Sequence, residues 1–155
     1  MPIKKLKDFL DKNKVKYVAI SHSKAYTAME IAASAHIAGK ELAKTVMVKI
    51  DGKMAMVVVP ASQKVDVDLL QKAVKAKKVE IANEAEFKDL FPDCELGAMP
   101  PFGNLYGLDV YTAKSLTEDE EIAFNAGSFT ELIKLPYKDY EKLVKPKVGK
   151  FSAAK

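Results

Sequence analysis

Two runs of β-forming residues, Thr45 to Ile50 and Met54 to Pro60, are joined through Asp51-Gly52. A tight hairpin whose twist matches its strands needs positive φ at both central residues. Asp-Gly is one of the few dipeptides that meets this at low cost. An antiparallel ribbon is therefore expected in the middle of the chain, and the rest of the fold must pack against it. Helical periodicity appears on both sides. Ile3, Leu6, Phe9 and Leu10 predict an amphipathic helix over 3–12, and Val67, Leu70 and Val74 predict another over 66–76. Hairpins mixed with helices, rather than a regular strand–helix–strand alternation, point to an α+β domain with a mixed, largely antiparallel sheet.

The remaining punctuation fills in the order. Val15 to Ile20 reads as a strand, and Thr27 with Glu30 three residues on reads as a capping box opening a helix that ends near Ala35. Val79 to Ala82 reads as a short strand. Asn83 and Glu86 form a second capping box, and that helix is stopped at Phe91-Pro92, because the residue before proline is pushed out of the α region. Strands are expected at Leu108 to Thr112, Glu121 to Asn125 and Phe129 to Leu135. A last helix starts at Pro136, and a basic tail beyond Pro146 reads as mobile. At 155 residues without repeats or long linkers, the expectation is one domain over 1–150 with a tail at 151–155.

Composition narrows the chemistry. All 25 basic residues are Lys, and with 21 Asp and Glu the chain carries +4. Lysines suit phosphate, whereas bidentate readout of a base edge by Arg is closed to this chain. One cysteine, Cys94, rules out an internal disulfide framework. With no apolar run near the roughly 18 residues that span a membrane, the expected location is the cytoplasm. Two histidines and one cysteine lack metal-ligand spacing, and no phosphate-binding or dinucleotide motif is present, so no cofactor is expected.

Two features could carry chemistry. Gly97-Ala98-Met99-Pro100-Pro101-Phe102-Gly103 is a preset loop: proline fixes φ, while glycine admits φ > 0 and close approach to the main chain. From these residues alone it is equally a stiff connector. Lys44 stands where a polar connection gives way to an apolar strand, and its ammonium could hold an anion at a strand mouth or simply be solvated.

Read together, Ser21-His22-Ser23-Lys24-Ala25-Tyr26-Thr27-Ala28, Glu41-Leu42-Ala43-Lys44-Thr45-Val46, the Gly97–Gly103 loop and Phe124-Asn125-Ala126-Gly127-Ser128 form an ordered set. In these motifs the chain resembles the YbaK/ProX family, from about residue 1 to 150. The resemblance implies a compact α+β domain whose mixed sheet curls toward a barrel, with helices around it. It implies a trans-acting aminoacyl-tRNA deacylase that hydrolyses the ester of a mischarged tRNA, typically Ala or Cys on tRNA for proline. The implied partners are the tRNA 3′ end and, beyond it, prolyl-tRNA synthetase or translation factors. The family lysine falls on Lys44 as the catalytic group. Thr27, Thr45, Gly97, Pro101, Phe102, Gly127, Ser128 and Phe129 fall at substrate-binding positions. Relatives usually carry His where this chain has Phe129, which leaves open a weakened or inactive tRNA-binding module on the same fold.

Overall fold

The computed structural model describes residues 3–21 and 38–154. Helix α1 (Lys4–Lys12) buries Leu6 and Leu10, the apolar face its spacing foretold. Strand β1 (Val18–Ser21) follows, then the long pair β2 (Leu42–Ile50) and β3 (Lys53–Pro60). Their turn has φ of 50° at Asp51 and 83° at Gly52, the two positive values an Asp-Gly hairpin requires. Strand β2 starts three residues before the expected Thr45, because Ala43 and Lys44 continue the ladder opposite Pro60 and Val59.

After β4 (Gln63–Val65), α2 (Val67–Val74) is capped by Asp66, whose side chain accepts from the Leu69 N–H at 3.0 Å. Strand β5 (Val79–Ile81) leads into the short helix α3 (Glu84–Phe87), where both hydrogen bonds of the Asn83–Glu86 capping box form. Next come β6 (Val110–Ala113), a 3₁₀ turn at Lys114–Glu118, β7 (Glu121–Asn125), β8 (Glu131–Pro136) and α4 (Tyr137–Val144), which opens after Pro136 as expected.

The strands pair in the order β1-β8-β7-β2-β3-β6, with β5 also pairing with β2. The pairs β1–β8, β7–β8, β2–β3 and β2–β5 are antiparallel, while β2–β7 and β3–β6 are parallel. The expected α+β class and mixed, mostly antiparallel sheet are what the chain forms. The curl toward a barrel does not reach closure: among the described residues the sheet remains open. One face packs on α1, α3 and α4 through Leu6, Leu10, Phe87, Tyr137, Tyr140 and core residues such as Phe102 and Phe124. On the other face α2 sets Leu70 over Val57, Val59 and Tyr111.

The expected mobile tail is a correction. Lys147–Gly149 forms β9, parallel to β6, and Ser152–Ala154 forms β10, antiparallel to β4. Phe151 between them is 3% exposed and meets the Tyr111 ring edge-on at 5.9 Å. Lysine-rich composition hid a segment anchored by one aromatic residue. The helix expected at Thr27–Ala35 lies outside the described residues.

Candidate active site

The Gly97–Gly103 loop and the turn after β7 are one structural unit. The Gly127 N–H donates to the Ala98 carbonyl at 3.0 Å, and the Glu95 N–H donates to the Gly127 carbonyl at 2.8 Å. The Phe129 N–H donates to Glu95 Oε2 at 3.0 Å. Gly97 has φ of 92°, and a Cβ there would stand 3.1 Å from Phe129 Cζ, so the phenyl ring lies on the bare face of that glycine. Among the described residues the Gly97 N–H has only a soft acceptor, Met99 Sδ at 3.1 Å. Gly127 has φ of 100°, and Ile3 Cγ2 fills the space its Cβ would need. The Ile3 N–H donates to the Ala126 carbonyl at 3.0 Å, so the start of α1 is fastened to this turn. Ser128 is partly buried, its hydroxyl 3.3 Å from that of Thr130.

Lys44 sits at a split in the sheet. Strand β3 occupies one edge of β2 from Ala43 to Ile50. On the other edge, β7 pairs only at Leu42 and Ala43, and β5 pairs only at Val48 to Ile50. Among the described residues, no strand pairs with this β2 edge at Lys44–Val46 between them, and this notch lies beside the carboxyl end of β7. Such a point, where neighbours diverge beyond a strand's carboxyl end, is where open sheets accommodate ligands.

Alternation along β2 sets the half-buried Lys44 on the side of Leu42, and Thr45 on the side of the core residues Ala43 and Met47. Leu42, Ala61, Ala123 and Leu132 form a small apolar floor on the Lys44 side, against which Ile20 and Phe129 pack. The structure thus brings Gly97, Gly127, Ser128 and Phe129 together, with Phe129 reaching the floor that also flanks Lys44.

A residue missed at the sequence level joins them. Asn125 is 9% exposed and ends β7, one step beyond the Ala43–Phe124 pair, on the same face as Ala123. Its Oδ1 is buried without a hydrogen-bond partner among the described residues, as is Thr45 Oγ1. A buried polar group left unpaired costs about 1–3 kcal/mol; Asn125 Oδ1 carries that cost on the Lys44 face of the sheet, Thr45 Oγ1 on the opposite, core face. The sequence signal was available: an Asn inside an apolar strand, directly before a glycine turn.

Other expected positions are placed differently. Phe102 is wholly buried, its ring 5.3 Å from Phe124, 5.6 Å from Tyr140 and 6.1 Å from Phe9. Its side chain is a core group, and Pro101 beside it is buried as well. Thr27, like His22 and His36, lies outside the described residues. Burial pushes the Cys94 thiol up to about 11, so it stays protonated and unreactive near neutral pH. Adjoining cavities of about 350 and 360 Å³ are lined by Thr117, Tyr137 and Lys138, with Glu141 in one and Glu118, Asp119 and Glu120 in the other. They lie at the amino end of β7, away from the notch; Lys142 also lines the first, and the acidic wall of the second does not suit a polyanion.

Comparison with known proteins decides the family: the model of the aminoacyl-tRNA editing domain matches residues 22–143. The chain belongs to that family. Editing is hydrolysis of the ester between an amino acid and tRNA, so the reaction class of this editing domain is that of a carboxylic ester hydrolase, an aminoacyl-tRNA deacylase. The multifunctional Ser/Thr-tRNA deacylase ProXp-y of Escherichia coli (strain K12) is 29% identical over 114 residues, covering 70% of this chain and 68% of the relative. A crystallised candidate trans-editing enzyme for prolyl-tRNA synthetase superposes with a TM-score of 0.82 at 18% identity, over 97% of this chain and 96% of that one. A crystallised hypothetical protein superposes at 0.86 with 16% identity, over 97% and 100%. At such identities the superpositions speak for the fold alone. Among the described residues, no helix of the editing domain is long and apolar enough to cross a membrane.

Proposed function

We propose that this editing domain acts in trans, in the cytoplasm, removing small amino acids from mischarged tRNA. The observation that carries the reading is the notch at Lys44, bordered by the stitched Gly97 and Gly127 turns. In this reading the Lys44 ammonium holds the 3′-terminal nucleotide or its phosphate in a poorly screened site. Main-chain groups of the two glycine turns face the scissile carbonyl. Water, held and activated with the help of the neighbouring ribose hydroxyl, attacks the carbonyl carbon. The ester C–O bond breaks, the ribose oxygen leaves with a proton, and free amino acid and tRNA result. An ester is already activated, so placement and oxyanion stabilisation suffice without a nucleophilic side chain.

The amino acid would lie over Leu42, Ala123, Leu132 and Phe129. An apolar floor discriminates by size, and one methylene is worth only about 1–3 kcal/mol, so a set of small residues is expected rather than one. Ala and Cys on tRNA for proline are the proposed substrates, with prolyl-tRNA synthetase as the enzyme whose errors are corrected. The Ser/Thr-tRNA activity in the name of the E. coli relative widens the set to be tested.

The test is multiple-turnover release of amino acid from Ala-, Cys-, Ser- and Thr-charged tRNAs. The Lys44→Met variant, which keeps the aliphatic stem, should fold normally and lose about tenfold or more of the rate, the scale of one lost charge interaction. Full activity in that variant removes Lys44 from the chemistry. The inert ring of Phe129 favours a second reading, a module that binds tRNA without hydrolysing it. Binding with no release from any of the four substrates would select that alternative.

A further inference from the structure

We infer that α1 and the turn after it form the surface that receives the phosphate backbone of the tRNA acceptor stem; the inference rests on the deacylase reading above. The charge of the chain is unevenly distributed. Residues 4–16 hold six lysines and two aspartates, and the last fourteen residues hold five lysines and no acid. The stretch between carries fourteen lysines against nineteen acids, so the excess of +4 comes entirely from the two ends.

Lys4, Lys5, Lys7, Lys12, Lys14 and Lys16 are all exposed, and among the described residues none sits in an ion pair. Asp11 is occupied, accepting from the Tyr17 hydroxyl at 3.1 Å. Lys12 complements the carboxyl end of α1, and Lys5 lies over the Tyr106 ring at 4.4 Å, but the lysines at the amino end do not serve the helix. The first turn of α1 has basic residues and no acid, and its N-cap offers no side-chain hydrogen bond. Cations at a helix amino terminus oppose its dipole. Lys4 and Lys7 also precede Asp8 and Asp11 by four residues, the poorer orientation for such pairs. The arrangement is worse for stability than its reverse and better for attracting a polyanion.

Position decides which basic end is involved. Ile3 is fastened to Ala126 and fills the space over Gly127, so α1 leaves directly from the turn beside the notch. Among the described C-terminal lysines, Lys142 lies in the last turn of α4, Lys145 ends that helix, and Lys147 and Lys150 lie in or directly after β9. In the sheet β9 lies four strands from β7, about 19 Å at roughly 4.8 Å per strand. An acceptor stem whose 3′ end enters the notch therefore passes α1, with phosphate chemistry matched to lysine point charges.

The experiment compares two double variants of equal charge change, Lys4→Gln/Lys7→Gln in α1 and Lys145→Gln/Lys150→Gln at the carboxyl end. An RNA hairpin of acceptor-stem length with a single-stranded 3′ end is titrated across salt concentrations. Hydrolysis of an aminoacyl-adenosine, which has no stem, is measured in parallel. The α1 variant should bind the hairpin at least about fivefold more weakly, and its log-affinity against log-salt slope should fall by about 2, from roughly 0.9 per lost phosphate contact. Its hydrolysis of aminoacyl-adenosine should be unchanged, and its thermal midpoint equal or higher, because two cations no longer oppose the helix dipole. The carboxyl-end variant should match the parent throughout. Equal hairpin affinity and slope in the α1 variant, or losses confined to the carboxyl-end variant, overturn the inference while leaving the deacylase reading intact. Failure of the parent to hydrolyse either acylated tRNA or aminoacyl-adenosine overturns the deacylase reading instead, and hairpin titration still decides whether α1 binds RNA.

Discussion

Asn125 and Phe129 make opposite contributions to the same notch. An amide buried without a partner is a liability to folding, so its removal separates the two roles a buried residue can have. Asn125→Leu, which keeps the forked shape and removes both polar atoms, should leave the thermal midpoint unchanged or raise it, while deacylation falls about tenfold or more. A large drop in midpoint with normal activity per folded molecule would make Asn125 a structural residue. Phe129 is instead an apolar lid, its ring against Gly97 and the floor of Leu42 and Leu132. Replacing it with His exchanges inert volume for a group that can relay a proton. The expected result is a changed ratio of rates on Ala-, Ser- and Cys-charged tRNA, measured for both forms on the same preparations. Unchanged rates and ratio would place Phe129 outside the amino-acid pocket.

The carboxyl-terminal strands are the element whose importance composition concealed. Phe151 is buried against Tyr111, and β9 and β10 complete hydrogen bonding along β6 and β4. A chain stopped after Pro146 should lose stability well beyond the about 3–5 kcal/mol typical of truncating one buried Phe, read as a lowered urea midpoint. An unchanged midpoint would deny these strands a structural role.

The contrast shows what a sequence displays. Asp51-Gly52 and the caps at Asp66 and Asn83 are local steric or hydrogen-bonding rules, and each could be read from a few residues, whereas the helix expected to run to Phe91-Pro92 ends at Phe87 and gives way to a 3₁₀ turn over Lys88–Leu90. Strand β9 has no such signature: Lys147-Val148-Gly149 is a strand because β6 offers a free edge. The notch has the same origin. Lys44 and the glycine loops were legible as motifs, but Asn125 gained meaning only when a parallel pairing set β7 against β2. Phe102 was misplaced for a related reason, because an aromatic beside prolines can face either a ligand or the core.

Over the whole molecule, binding of tRNA should be dominated by long-range charge. Lysines cannot fork onto base edges as Arg does, so affinity should fall steeply with salt, and little with changes in stem sequence away from the 3′ end. Titration of matched tRNAs between about 50 and 200 mM salt measures this, and a flat response would contradict a phosphate-based interface.

The split beside β2 also has a consequence for the order of folding. The hairpin β2–β3 closes across two residues, whereas the pairing of Leu42 with Ala123 joins positions about 80 residues apart. Contacts so distant along the chain form late, since loop closure must precede them. Recovery of deacylation after dilution from denaturant should therefore lag behind the return of secondary structure. Catalysis would then report the last step of maturation, and partly folded chains would carry a hairpin and helices but no working site.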